Sequence, residues 1–118
     1  MRKDNVRDNV KLMYIVVFVT ASSKKEAQNL ARGLLRNRLC ACVNIVDKIE
    51  SLFWWEGKID SASETLLIIK STKAKLPKIM KLVKSKHSYE VPEVIALPII
   101  GGLKPYLRWI DESIRRSG

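Results

Sequence analysis

The chain has few of the residues that form disulfides or bind metals, with two cysteines and one histidine among 118 residues. Cys40 and Cys42 are two positions apart on a predicted strand, so their side chains would point the same way, about 6.6 Å apart, with parallel Cβ directions. That is poor disulfide geometry. The pattern excludes a disulfide framework and indicates free thiols in a reducing compartment.

Long apolar runs are also missing. No run approaches the roughly 18 residues that a membrane helix requires, and the first residues lack the hydrophobic region of a signal peptide. We therefore expect a cytoplasmic protein that does not contact a membrane. The hydrophobic content of 47% and charged content of 29% are ordinary for a globular domain.

The sequence lacks the common signatures of catalysis. It contains no glycine-rich phosphate loop, no Ser-His-Asp set and no pair of carboxylates in a recognisable catalytic frame. We therefore expect a protein that is not an enzyme. One alternative stays open, a small active site between subunits around Lys70, His87, Tyr89 and Glu90.

Residues 1–12 are polar and have no apolar periodicity, which predicts a disordered or frayed leader before a single domain at 13–118. Ser23 and Glu26 have the spacing of a capping box at the start of a helix. Apolar runs and helical periodicity predict the remaining elements. The predicted strands cover residues 12–20, 41–55, 64–71 and 94–100, and the predicted helices cover residues 23–37, 73–87 and 105–116.

The segment from Ala41 to Trp55 has no glycine or proline and predicts an unusually long strand. Glu56-Gly57 supplies a hairpin turn, because glycine accepts the positive φ that such turns require. Phe53, Trp54 and Trp55 place aromatic rings on both faces next to this turn. We expect another copy of the chain to cover at least one face, the alternative being a tryptophan folded back under its own sheet.

The element order predicts an α+β, ferredoxin-like βαββαβ fold with a long hairpin between the second and third strands and an extra C-terminal helix. Right-handed crossovers place both main helices on one face of the sheet. The first and third strands are nevertheless apolar on both sides. A closed oligomer would cover the second face.

The net charge is +10, and seven lysines fall between Lys70 and Lys86 without an acidic residue. This run predicts either a solvated helix face or a track for phosphates. RNA-recognition domains of the same strand order use exposed aromatics on both central strands, and the third strand here has none. An RNA- or polyanion-binding module is thus the alternative function, and we do not expect nucleic acid as a partner.

Three blocks of sequence resemble one family, the CutA divalent-cation tolerance proteins. The blocks are Ala41–Ile45, Ser51–Lys58, and His87–Ile95 followed by Tyr106–Trp109. The resemblance implies a homotrimer, similar in architecture to the PII signalling proteins, that binds copper or other divalent metals as a metal-responsive binding or signalling module. Members with proposed copper ligands have a cysteine near the end of strand one and a histidine pair, where this chain has Val19 and Lys86-His87.

The candidate metal ligands are His87, Cys42 and Glu90, with no obligatory cofactor and copper or another divalent metal as the possible ion. The alternative for His87 is a histidine at a helix C-terminus, and the alternative for a cysteine is a small buried apolar residue. Further copies of the chain and metal ions are the expected partners. The candidate residues for an intersubunit pocket or interface are Phe53, Trp54, Trp55, Glu56, Lys70, Tyr89 and Glu93.

Overall fold

A computed structural model describes residues 13–115, so the predicted leader at 1–12 lies outside the described residues. The elements follow the predicted order. They are β1 (Tyr14–Ala21), α1 (Lys24–Arg36), β2 (Cys42–Trp55), β3 (Lys58–Thr72), α2 (Leu76–Lys86), β4 (Val94–Pro98) and α3 (Lys104–Arg115), with a 3₁₀ turn (Lys73–Lys75) before α2. The strands form an antiparallel sheet in the order β2-β3-β1-β4, which confirms the α+β, ferredoxin-like prediction.

The start of α1 follows the predicted capping pattern in part. The hydroxyl of Ser23 accepts a hydrogen bond from the backbone N–H of Glu26 at 3.1 Å. The Glu26 carboxylate bonds back to the N–H of Ser22 at 2.9 Å, one residue before the expected position. The first bond occupies a donor that the first helical turn leaves free, and the second fixes the residue that precedes the N-cap.

The second helix is shorter than predicted at both ends. Residues Lys73–Lys75 form a 3₁₀ turn, and the α-helix begins only at Leu76, so that Pro77 occupies its first turn, where its missing N–H is not needed. His87 has an extended backbone, with ψ of 146°, and lies outside the helix. Its side chain is therefore free to turn away from the helix axis.

One face of the sheet, the covered face, packs under α1 and α2. Its strand residues alternate, since Ile15, Val17 and Val19 of β1 and Leu67 and Ile69 of β3 are buried. The helix residues of this core are Ala27, Leu30, Ala31, Leu34, Ile79 and Val83. Both crossover helices lie on the same side, as predicted, so the second face of β1 is only partly buried in a single chain and its cover by an oligomer stays a prediction.

The third helix packs against β3, and its periodicity predicts that Tyr106, Leu107, Ile110 and Ile114 point inward. Ile110 and Ile114 are buried as expected, but Tyr106 is 43% exposed. Asp111 is buried in its place, and its carboxylate pairs with Arg115 at 2.8 Å. The helix thus meets the protein through Ile110, Asp111 and Ile114, while the Arg115 side chain extends into solvent.

The β2–β3 hairpin extends beyond the rest of the sheet. Cα pairing continues to Trp55 opposite Lys58, so β3 begins six residues before the predicted Glu64. A register shift between Val46 and Ile49 separates the part inside the sheet from the hairpin arm, residues 49–64. The arm accounts for a molecule measuring 55 × 30 × 24 Å.

Candidate functional site

The second face of the sheet, here called the open face, is apolar and incompletely covered. Strand pairing sets Phe18 opposite both Ile68 and Ile95, so the three side chains form a row across the sheet. Ile95 is 51% exposed, and its neighbour on the same face, Leu97, is 47% exposed. The apolar residues of the open face are Val16, Phe18, Leu66, Ile68, Ile95 and Leu97. Such a continuous apolar surface is typical of a binding interface.

The tip of the hairpin arm carries a second apolar surface. Trp54 lies opposite Ile59, and the two side chains are 74% and 66% exposed. Trp55 on the other side of the ribbon is 60% exposed. The alternative in which a tryptophan folds back under its own sheet is therefore wrong for this chain. Both sides of the tip are available to a second molecule.

The turn at the tip has positive φ at two successive residues, 51° at Glu56 and 78° at Gly57. This is the conformation of a type I′ turn, whose twist matches that of the two strands. Glycine adopts it freely, whereas a glutamate does so at a cost of about 1 kcal/mol. The tip is thus held in a tight turn that presents the flanking aromatics.

A cluster of polar side chains, Cys42, Asn44 and Lys70, lies at one corner of the open face and is here called the corner. Cys42 of β2 pairs with Lys70 of β3, and the Lys70 ammonium lies 4.0 Å from the Cys42 sulfur and contacts the Asn44 side-chain oxygen. The Tyr106 phenol lies above this corner, and burial together with the charge of Cys42 raises its pKa. The two predicted residues Cys42 and Lys70 are therefore neighbours.

Cys40 does not join this corner. It is 2% exposed and packs in the core of the covered face. Burial, with a further contribution from Cys42, raises the pKa of the Cys40 thiol to about 12. The two cysteines are free, as predicted, but they do not point the same way, because β2 begins only at Cys42.

His87 lies at the base of the hairpin arm with its side chain fully buried. Its Nε2 lies 2.7 Å from the carbonyl oxygen of Thr20, and its Nδ1 accepts the backbone N–H of Tyr89 at 3.0 Å. A carbonyl oxygen can only accept, so Nε2 carries the proton and Nδ1 provides the lone pair. Both ring nitrogens thus hold the loop after α2 against the end of β1. This contact between residues 87–89 and Thr20 is here called the junction.

Glu26 completes this junction. Its carboxylate accepts bonds from the N–H and hydroxyl of Ser22 at 2.9 Å and from the N–H of Ser88 at 2.7 Å, and it lies 3.9 Å from Nδ1 of His87. Partial burial alone would raise its pKa, but these hydrogen bonds dominate and lower the pKa of Glu26 to about 2. Glu26 is therefore an anion that joins α1 to residue 88.

Tyr89 links the same junction to the hairpin. Its ring lies 4.7 Å from the His87 ring, and its hydroxyl donates to the Glu64 carboxylate at 2.8 Å. Burial raises the pKa of Tyr89 to about 12, and the bond to Glu64 adds to the shift. The partner of Tyr89 on β3 is thus Glu64 rather than Lys70.

Lys70, Tyr89 and Glu93, predicted to line a pocket or interface between subunits, do not come together within one chain, and the intersubunit pocket stays a prediction. Lys70 and Glu64, the partner of Tyr89, are six residues apart on β3, which corresponds to about 20 Å along a strand. Glu90 and Glu93 are exposed beyond the junction. The alternative of an active site around Lys70, His87 and Tyr89 would therefore need residues from two chains.

The candidate metal ligands His87, Cys42 and Glu90 do not form a cluster within one chain. Among residues 13–115, no three His, Cys, Asp or Glu side chains are close enough together to hold a metal ion. His87 already uses both ring nitrogens, and Cys42 lies at the opposite end of β3 from the junction. The described part of one chain therefore does not fit a metal by itself, and ligation by His87, Cys42 and Glu90 stays a prediction.

Three polar residues of the junction and corner were not singled out from the sequence as site residues. Glu64 and Asn44 lie on strands whose pairing only the fold determines. Glu26 was assigned to the helix cap, and its second role depends on Ser88, 62 residues later in the chain. For Glu26, the only signal in the sequence was its position as a carboxylate at the start of a helix.

The fold and these surfaces define a class of protein, a ferredoxin-like domain with an extended β2–β3 arm and an uncovered sheet face. The chain matches the family model described as CutA1 divalent ion tolerance protein over residues 15–113. The chain therefore belongs to the CutA1 family, as the sequence resemblance indicated.

Individual relatives agree with this assignment. The chain is 45% identical over 102 residues to the divalent-cation tolerance protein CutA of Archaeoglobus fulgidus, covering 86% of this chain and 99% of the relative. It is 50% identical over 103 residues to the chloroplastic protein CutA 1 of Oryza sativa, covering 87% of this chain and 58% of the relative. The chain thus spans little more than half the length of the plant relatives it matches.

Solved structures share the fold. The crystal structure of CutA1 from Oryza sativa superposes with a TM-score of 0.86 at 47% identity, covering 92% of this chain and 99% of that one. The structure of the periplasmic CutA from Archaeoglobus fulgidus gives a TM-score of 0.84, covering 86% and 99%. Within the described residues of the present chain, no helix has the length and apolar character to cross a membrane.

Proposed function

We propose that the protein is a homotrimeric divalent-cation tolerance protein that works by binding rather than catalysis. The observation that carries this proposal is the pair of uncovered apolar surfaces, the open face and the arm tip with Trp54 and Trp55. A closed assembly in which each arm reaches a neighbouring chain covers both surfaces at once. Its PII-like form is the expectation that follows from the family resemblance.

We place the metal-binding function between chains. Copper or another divalent metal would take Cys42 of one chain and Glu90 of another as donors, because one described chain supplies no three-donor set. His87 joins such a set only by giving up the hydrogen bond from Tyr89 N–H. Family membership supports metal tolerance as the physiological context.

Sedimentation with and without copper tests the trimeric assembly and the metal binding together. We expect a trimer at dilute concentration and stoichiometric binding of Cu(I), Cu(II) or Zn(II) in parallel calorimetric titrations. Cys42→Ser and Glu90→Gln should weaken binding without dissociating the assembly. A compact monomer would contradict the assembly, and stoichiometric binding unaffected by Cys42→Ser, Glu90→Gln and His87→Gln would contradict the ligand assignment.

A cytoplasmic location belongs to the same proposal, and two free cysteines support it because reducing compartments keep thiols free. The relatives carry other locations in their names, chloroplastic in rice and periplasmic in Archaeoglobus fulgidus. Fractionation of cells that express the protein with a tag separates these possibilities.

A further inference from the structure

The outer surface of the helical layer carries a high density of positive charge. Segments 24–36 and 73–86 contain ten basic residues and one acidic residue, Glu26, which is already bonded to Ser22 and Ser88. Within residues 13–115, the Glu26 carboxylate lies 3.9 Å from Nδ1 of His87 and Asp111 forms an ion pair with Arg115, and neither contact includes any of the ten. The basic residues are Lys24, Lys25, Arg32, Arg36, Lys73, Lys75, Lys78, Lys81, Lys84 and Lys86.

The surface is shaped as two grooves on either side of a ridge. The helices touch at Gly33 and Leu82, where a Cβ on the glycine would lie 3.6 Å from the Leu82 side chain. On one side, a cavity of about 640 Å³ is lined by Arg32, Arg36 and Lys86 with Asn29. The ridge contact thus forms one wall of a cationic groove.

The second groove, of about 410 Å³, lies on the other side of the ridge. Its cations are Lys75, Lys78 and Lys81, together with Lys86, which also lines the first groove. Lys86 lines both grooves and is therefore within reach of a ligand in either one. Neither lining contains an acidic residue. An extended anion could therefore contact both.

The arrangement of cations suits an anion with several closely spaced oxygens, such as phosphate. Arg32 and Arg36 are four residues apart on α1, so they project from the same side of the helix and repel each other unless an anion lies between them. A guanidinium group can bind two phosphate oxygens at once, and the lysines act as point charges beside it. The first groove therefore concentrates phosphate-binding groups.

The lining also argues against base recognition and against a membrane. It contains no aromatic side chain on which a base could stack. The apolar residues Ile79 and Val83 of α2 face the protein core, whereas a helix that lies in a membrane surface inserts its apolar face into lipid. Recognition through backbone phosphates alone fits the chemistry of both grooves.

We propose that this surface binds inorganic polyphosphate, a linear phosphate polymer without bases, across the two grooves. The inference goes beyond the proposed metal function and does not depend on it. The helical layer lies on the opposite side of the sheet from the open face, so an assembly through the open face and the arms leaves the grooves accessible.

Fluorescence anisotropy with the full chain in its native assembly tests the proposal. The labelled probe is oligo(dT) of about 20 nucleotides, titrated between about 50 and 200 mM salt, and unlabelled polyphosphate of matched phosphate number is the competitor. We expect binding that weakens steeply with salt and complete displacement by polyphosphate. Weaker competition by polyphosphate than by unlabelled oligo(dT) of the same phosphate number would identify single-stranded nucleic acid as the ligand instead.

Paired variants locate the surface. Arg32→Gln with Arg36→Gln, and separately Lys78→Gln with Lys81→Gln, should each weaken binding at least about tenfold at low salt and reduce the logarithmic salt slope by about 2, since each pair removes two cations. The matched control, Lys104→Gln with Arg108→Gln, removes two charges from α3 and should change affinity less than about twofold. Circular dichroism and sedimentation confirm that each variant keeps its fold and assembly.

Several results would overturn the proposal. Equal losses in the control and the groove variants would mean that net charge alone is responsible. A loss confined to one groove would contradict a ligand that spans both. Binding to vesicles of anionic lipid without binding to either polymer would identify a membrane surface instead, and oligonucleotide binding that polyphosphate does not displace would contradict recognition of phosphate.

Discussion

The covered face and the open face of the sheet are built from the same kind of residue but have different surroundings. On β1, Val17 is fully buried beneath the helices, while its neighbours Val16 and Phe18 on the other face are only partly buried. The difference comes from topology, since both crossover helices pack on one side. The covered face is complete within one chain, whereas the open face and the arm require a further molecule.

The strongest test of this comparison is Trp54→Ala at the arm tip. If the tryptophan is buried against a second copy, its truncation should cost about 3 to 5 kcal/mol of assembly free energy. Sedimentation should show dissociation, and the melting temperature should become concentration-dependent. Lys58→Ala, at the same end of the arm, is the control and should leave both unchanged. An intact assembly of the Trp54→Ala variant would show that the tip is not part of an interface.

A substitution on the covered face should lower the free energy of unfolding without changing the association state. Leu34→Ala removes a fully buried side chain of α1 and should lower the free energy of unfolding by about 2 to 5 kcal/mol. Because the cavity lies inside one chain, the association state should not change at temperatures where the variant is folded. Chemical denaturation and sedimentation together measure the two quantities. Dissociation like that of Trp54→Ala would remove the distinction between the faces.

The junction on the covered side should respond to acid through Glu26. Its pKa is about 2 when folded, below the ordinary 4.5, so its stabilising contribution is present above pH 4.5 and is lost as the pH falls toward 2. Glu26→Gln should be about 1 kcal/mol less stable at pH 7, a low value for charged hydrogen bonds because the carboxylate is partly exposed. The difference should shrink on acidification.

Urea unfolding at several pH values measures this effect. Glu112→Gln, an exposed acidic residue on α3, is the control and should follow the wild-type profile. A constant difference between wild type and Glu26→Gln from pH 7 to pH 3 would contradict the role of ionised Glu26.

The smallest effect is expected at the turn. Glu56 has a φ of 51°, and asparagine tolerates this conformation better than glutamate. Glu56→Asn should raise the free energy of unfolding by up to about 1 kcal/mol. Gly57→Ala, in the same turn, should lower it by about 1 kcal/mol or more. Thermal unfolding measures both, and a destabilised Glu56→Asn variant would show that the glutamate side chain makes a contact in the assembly.

The local features of the candidate site could be predicted from the sequence. Phe53-Trp54-Trp55 beside Glu56-Gly57 predicts an aromatic tip, because alternation and turn chemistry act over a few residues. The structure bears out the exposed tip. The positive φ of Glu56 was not predicted, since glutamate rarely adopts it.

The polar contacts could not be predicted in the same way. Lys70 was grouped with Tyr89, but the register of β2 on β3 places it beside Cys42 and Asn44. The ring of His87 meets Thr20, 67 residues away in the chain. These partners depend on strand order and crossover geometry, which single-residue patterns do not contain.

The sequence by itself determined the type and order of the elements, the long hairpin and the excess of apolar strand residues, because periodicity and turn chemistry are local properties. Only the tertiary structure decided which residues meet at the junction, which corner Cys42 occupies, and how α1 and α2 form two cationic grooves. Those outcomes depend on side chains brought together from distant parts of the chain, where packing and register select the partners.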